Sequence, residues 1–165
     1  MSMEGVETIF DQIEDKLQAD LPDKIDAINA LYGDSVVIEA PPATSYHRML
    51  DPKDQAEIDA IVYPAVVLRP EPENVVGDAD LSNGYEVDVP IEVAVMVGYD
   101  SSDRQQIQLL RYMRAVKEIL GQLGAIAYGG CRYEGGGFAR TYTTDSGVVR
   151  DVAMIFTVST SQRAE

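Results

Sequence analysis

Residues 86–97, EVDVPIEVAVMV, alternate with a period of two: Val87, Val89, Ile91, Val93, Val95 and Val97 fall on one side, and Glu86, Asp88 and Glu92 on the other. Successive side chains of a strand point to opposite faces, whereas a helix would scatter this row around its axis. The stretch is therefore expected to be a long central strand with one face in a core and the other in water. Such a face needs a second layer, and the chain supplies one directly. After Gly98-Tyr99-Asp100-Ser101, Ser102 and Gln105 have the spacing of a capping box, and Ile107, Leu110, Met113, Val116, Leu120 and Leu123 form an apolar stripe. Gly121 and Gly124 favour the end of that helix.

Upstream, Val6, Ile9, Phe10, Ile13, Leu17 and Leu21 recur at steps of three and four, predicting a helix that ends before Pro22. Ile25, Ile28 and Leu31 repeat the spacing over a shorter helix that stops at Gly33. The β-branched run Val36, Val37, Ile38 predicts a strand over 35–40. Residues 41–60, opened by Pro41 and Pro42, read as a charged excursion with a helical turn over 54–60. A strand is expected over 61–68, with Pro64 at an edge or bulge because it donates no ladder hydrogen bond. A second excursion spans 70–84.

Downstream, 125–133 reads as a short strand and Gly135 to Gly137 as a flexible joint. Residues 138–144 and 148–160 flank Asp145-Ser146-Gly147, a turn sequence, so a C-terminal β-hairpin is expected. Within it Val152, Met154, Phe156 and Val158 alternate inward.

A chain of 165 residues that is 45% hydrophobic fits one domain, 1–165, with its own core. Thirteen basic against twenty-eight acidic side chains give a net charge of −15, which repels phosphate backbones and anionic lipid. Nucleic-acid gripping and a membrane-surface role are not expected. Cys131 is the only cysteine, so no intramolecular disulfide can form and a reducing compartment suits the chain. The acidic N-terminus lacks the features of a secretory signal, and no stretch approaches ~18 apolar residues, so a soluble protein is expected.

Catalytic motifs are sparse. A Ser-His-Asp arrangement needs an imidazole, and His47 is the only one, set in a loop between Tyr46 and Arg48. Zinc sites want three or four protein ligands, and one Cys with one His does not meet that need. Glu86, Asp88 and Glu92 share a strand face and have the chemistry to hold a hard cation with Asp100 or Asp103, but an exposed face in so acidic a chain carries charge as a matter of course. GGCRYEGGGF has phosphate-loop spacing without the Lys and Ser or Thr that would meet a phosphate. The turn at 98–102 has too few glycines and too much negative charge for a pyrophosphate. Cys131 reads as a small buried thiol, the lowered pKa of a reactive one being the alternative. No catalytic residue, metal or cofactor is expected.

Taken in order, a helix, one or two strands, an acidic excursion, the segment IEVAVMVGYDSSDRQQIQLLRYMRAVKEIL and a hairpin closing on RDVAMIFTVST resemble the tail terminator (tail completion) proteins of tailed bacteriophages, and more broadly the small head-tail neck proteins. The resemblance covers residues 4–160 and lies in element order, not in an invariant residue. It implies an α/β (α+β) fold, with a mixed, mostly antiparallel sheet and two main helices packed on one face, plus long loops. It further implies a non-enzymatic virion protein of the tail or neck, assembled in the host cytoplasm as a hexameric ring that caps the tail tube. Its partners would be copies of itself, the tail tube protein and head-tail connector or neck proteins, with DNA passing an acidic lumen without specific binding and no membrane contact. The long excursion at 41–60 departs from the pattern and leaves room for a head-completion or adaptor protein. A metal-dependent hydrolase using Glu86, Asp88 and Glu92 is the reading from another class. Ring closure needs two different patches on one subunit. Tyr46, His47, Arg48, Tyr133, Phe138, Arg140 and Tyr142 mix aromatic and basic character and are the candidate interface residues.

Overall fold

A computed structural model describes residues 3–48, 58–71, 74–80, 84–99, 101–122, 130–145 and 147–162. Helix α1 is Met3–Tyr32 and helix α2 is Ser102–Leu120; the strands are β1 Tyr46–Arg48, β2 Ala65–Pro70, β3 Asn74–Asp80, β4 Gly84–Val97, β5 Gly130–Thr144 and β6 Gly147–Gln162. The sheet runs β1-β2-β4-β6-β5, with β3 paired to the first part of β4. Only β1 and β2 run parallel; the other pairs are antiparallel. This is the expected α+β fold with a mixed, mostly antiparallel sheet.

β4 and β6 form its spine, paired in unbroken register from Tyr85↔Gln162 to Val97↔Arg150. Along β4, Val89, Ile91, Val93, Val95 and Val97 enter the main core, and Val152, Met154, Phe156 and Val158 of β6 join them. The side chains of Glu86 and Val87 lie outside the described residues. Against this face lie Ile9, Phe10, Ile13, Leu17, Leu21, Ile25 and Ile28 of α1, and Leu109, Tyr112, Ala115, Val116, Ile119 and Leu120 of α2. Both helices therefore cover the same face of the sheet.

The break expected at Pro22 is absent, and α1 runs continuously through it. Leu21 and Ile25 are four apart, so the two apolar repeats are in phase and make one stripe. An interior proline costs about 3 kcal/mol. Burying Ile25 and Ile28 returns about 1.5–3 kcal/mol each, enough to carry the helix past it. Among the described residues no helix is long and apolar enough to cross a membrane.

Residues 35–40 are extended but not in the sheet. Val36 and Ile38 are buried while Val37 is exposed, the alternation that predicted a strand. The segment's backbone is satisfied by side chains instead. The Asn29 amide accepts from Ile38 N at 3.1 Å and donates to its carbonyl at 2.8 Å. Arg111 donates to the Val36 carbonyl, and the Tyr112 hydroxyl donates to the Glu39 carbonyl at 2.6 Å.

Both excursions contain strands: β1 lies in the first, and β3 in the second pairs Asn74↔Asp88 to Val76↔Glu86. The strand expected over 61–68 begins only at Ala65, after Pro64. Ile58 and Asp59 are helical, whereas 51–57 lie outside the described residues, as do Asp100 and 123–129. Leu123 and the strand start expected at 125 therefore lie outside them too. The cap of α2 is Ser101, whose side chain accepts from Arg104 N; Gln105 instead turns inward and donates to the carbonyls of Val97, Gly98 and Val148.

The glycines at 135–137 form no joint, because they pair within β5 against Ile155, Met154 and Ala153. A Cβ on Gly136 would lie 2.5 Å from the Ala153 carbonyl oxygen, so glycine is what lets the two backbones approach between bulges. The hairpin itself is as expected, closing at Thr144↔Gly147.

Candidate functional site

The second face of the sheet, expected to be wet, is largely closed. Ala65, Val67, Ala94, Met96, Tyr142, Val149 and Ala153 form a second cluster covered by Ile58 and Ile61. Beside it lies an ion network. Arg69 Nη1 donates to Glu92 Oε1 at 2.6 Å, and Arg140 grips the same carboxylate with two nitrogens at 2.7 and 3.0 Å. Arg140 also reaches Asp151, through its backbone N at 2.7 Å and Nη1 at 3.3 Å, and the Tyr142 hydroxyl donates to Asp151 at 3.4 Å. Glu92 is 6% exposed and Asp151 fully buried.

Desolvation alone would raise the Glu92 pKa, but the hydrogen bonds and charges of Arg140 and Arg69 outweigh it and hold the carboxyl below its usual range. Asp151 goes the other way: desolvation pushes it up against the pull of Arg140. Both Glu92 oxygens are held by guanidinium groups, and Asp88 accepts from Ser159 at 2.7 Å, so these two members of the acidic row are engaged within the protein. Among the described residues, no group of three or more His, Cys, Asp or Glu is placed to hold a metal ion. Cys131 is buried, and burial pushes its thiol up to about 12, far from a reactive thiolate.

The seven candidate interface residues fall into two groups on opposite edges of the sheet. Tyr46, His47 and Arg48 make up β1, the three-residue edge strand. Tyr46 packs against the main core, and desolvation, with Glu14 nearby, raises its hydroxyl to about 12. His47 Nε2 is buried without a hydrogen-bond partner among the described residues. Arg48 ties β1 to α1, meeting Asp11 at 2.7 Å and Glu14 at 2.9 Å over the Phe10 ring.

Tyr133, Phe138, Arg140 and Tyr142 lie on β5, the 15-residue strand at the other edge. Two of them are turned inward, which corrects their assignment as surface contacts: Tyr142 is 8% exposed in the second cluster, and Arg140 is committed to Glu92 and Asp151. Tyr133 packs on Phe156 with Lys117 Nζ 4.3 Å from its ring centre. Phe138 projects, 57% exposed.

The periodicity of α2 misplaced its outer face. Val116 and Leu120 of the expected stripe are buried, but Ile107 and Leu110 are 39% and 54% exposed and Met113 is half-buried; Gln105, Leu109, Tyr112 and Ile119 complete the face that packs. Polar Gln105 and Arg111 on the buried side, each satisfied by hydrogen bonds, hid the true phase. The result is an apolar strip on α2 beside β5. Gln106 and Leu109 line a cavity of about 320 Å³ together with Phe138, and Leu110, Met113 and Lys117 line the next depression along the helix.

No family model and no curated protein matches the chain. Among solved structures, it is similar to a chain of one described as "Virion of native gene transfer agent (GTA) particle", at 16% identity and a TM-score of 0.37, covering 88% of this chain and 94% of that one.

Proposed function

We propose that the chain is a non-enzymatic virion subunit that caps the head-proximal end of a tail tube, stopping its growth and forming part of the head-tail interface as a hexameric ring around the DNA channel. The observation that carries this reading is that the two opposite edges of one sheet present unlike surfaces, an exposed acidic row of α1 beside β1 and the exposed Phe138 on β5. Closed rings need this heterologous arrangement, whereas a two-fold dimer uses one patch twice. The element order of the neck proteins supports it, now with a continuous first helix. So does the engagement of the acidic groups: Glu92, the residue best placed for chemistry, is neutralised inside the subunit by Arg69 and Arg140.

The acidity has a place in this reading, since an anionic lumen lets DNA pass without adhering. Tubes grown from the tube subunit of the same virion should stop lengthening when the protein is added. Growth that continues unchecked contradicts the reading, as does turnover of any substrate that is lost on changing one acidic side chain.

A further inference from the structure

We propose that the face formed by the outer side of α2 and strand β5 binds the acidic outer side of α1, next to β1, on a second copy of this chain, head to tail. This deepens the ring reading above by naming the two surfaces that meet.

Charge selects the pairing. Residues 102–150 hold seven of the thirteen basic side chains and only four of the twenty-eight acidic ones, a local balance of +3 against −18 for the rest of the chain. Part of that positive charge is spent internally, Arg140 on Glu92, Arg111 on Asp34, Arg132 on Glu134 and Arg114 on Glu118. What remains is a face near neutrality or slightly positive, with Lys117 of α2 over Tyr133 of β5, on a molecule that elsewhere repels its own copies.

The same face carries the exposed apolar groups Leu110 and Phe138, with half-buried Met113 between α2's outer positions and Lys117 over Tyr133. Aromatic and aliphatic anchors ringed by charge are the usual makings of a contact centre. β5 is ~50 Å long at ~3.3 Å per residue, so a contact strip about 16 Å wide along it reaches the ~800 Å² per partner of a stable interface. Bulges at Tyr133/Gly135 and Phe138/Thr141 interrupt its ladder, so the contact is made by side chains and not by extending the sheet.

The complementary surface lies across the sheet, about 19 Å away over four strand spacings. There α1 exposes Glu7, Asp11 and Asp15 at intervals of four, in one row beside β1. Pairing this face with itself about a two-fold axis would set Lys117 against its own copy and leave both acidic rows unmatched. Pairing α1 with α1 would oppose acidic rows, so only the head-to-tail contact joins unlike charge.

The test uses two full-length variants. Phe138→Asp disables one face, and the double change Glu7→Lys with Asp15→Lys disables the other. All three residues lie on the surface, so thermal unfolding should match wild type and separate a lost contact from a lost fold. Wild type should show a mass that rises with concentration by light scattering. Each variant alone should associate at least about tenfold more weakly. Mixed together, they should form a dimer of one copy of each and nothing larger, because each keeps the face the other lacks. Wild type that stays monomeric up to its solubility limit overturns the proposal. So does a variant pair that fails to combine, or an α1 variant that keeps wild-type mass, the mark of an isologous contact. No tube is present, so failure here leaves the capping reading to be judged by tube growth, and failed capping leaves these surfaces standing.

Discussion

Glu92 is held by two arginines at 2.6 to 3.0 Å on a closed face of the sheet, and its one carboxylate bonds both. Glu92→Gln removes the negative charge that both guanidiniums face and leaves them one acceptor oxygen, with Asp151 still beside Arg140. Breaking a buried pair costs about 3–5 kcal/mol, and the lower end applies because Arg140 keeps a third of its side chain in water. A loss of about 3 kcal/mol in urea unfolding at neutral pH is expected. The folded pKa of Glu92 lies below its unfolded value of ~4.3. Its contribution is therefore full above that value and lost as the pH falls through the folded one. The gap between wild type and Glu92→Gln should accordingly narrow on acidification, and a gap that widens would refute the assignment. Asp151, with its pKa raised by desolvation, has the opposite sign and favours the fold at low pH. Little of this was legible in the sequence: the alternation placed Glu92 opposite the valines, but its partners lie 23 and 48 residues away.

At the scale of elements, the spine was legible because one pattern has one solution. Val89, Val93, Val95 and Val97 of β4 and the Val152-to-Val158 row of β6 face the helices, and β5 and β6 form the expected hairpin, pairing up to Thr144↔Gly147. Signals failed where tertiary contacts replaced local ones. Asn29 and Arg111 satisfy the backbone of 35–40, leaving a strand-like stretch outside the sheet. Pro22 is tolerated for the stripe beyond it, so Pro22→Ala should restore an N–H to the carbonyl of Gln18 and stabilise the protein by about 1–3 kcal/mol. Its Tm should rise by about 2–4 °C per kcal/mol, and an unchanged or lower Tm would mean that the helix depends on the proline. Gly136→Ala should have the reverse effect. Its Cβ meets the Ala153 backbone, and overpacking of this kind costs about 1–3 kcal/mol, whereas a true hinge would accept alanine without loss in urea unfolding.

Over the whole molecule, the sheet separates two unlike edges. On one, three residues lie under an acidic helix row; on the other, 15 residues run beside an apolar strip that the α2 periodicity had assigned to the core. Tyr46, His47 and Arg48 lie on one edge and Tyr133, Phe138, Arg140 and Tyr142 on the other, a division that needed the strand order. Among the described residues, Phe138 and Leu110 stand 57% and 54% exposed, and an assembly of the kind proposed would cover them. The most direct measurement is negative-stain imaging of the purified protein mixed with tail tubes. The account predicts a ring of density on one end of each tube, with a shortened and uniform length distribution. Bare tube ends, or density scattered along the walls, would contradict it.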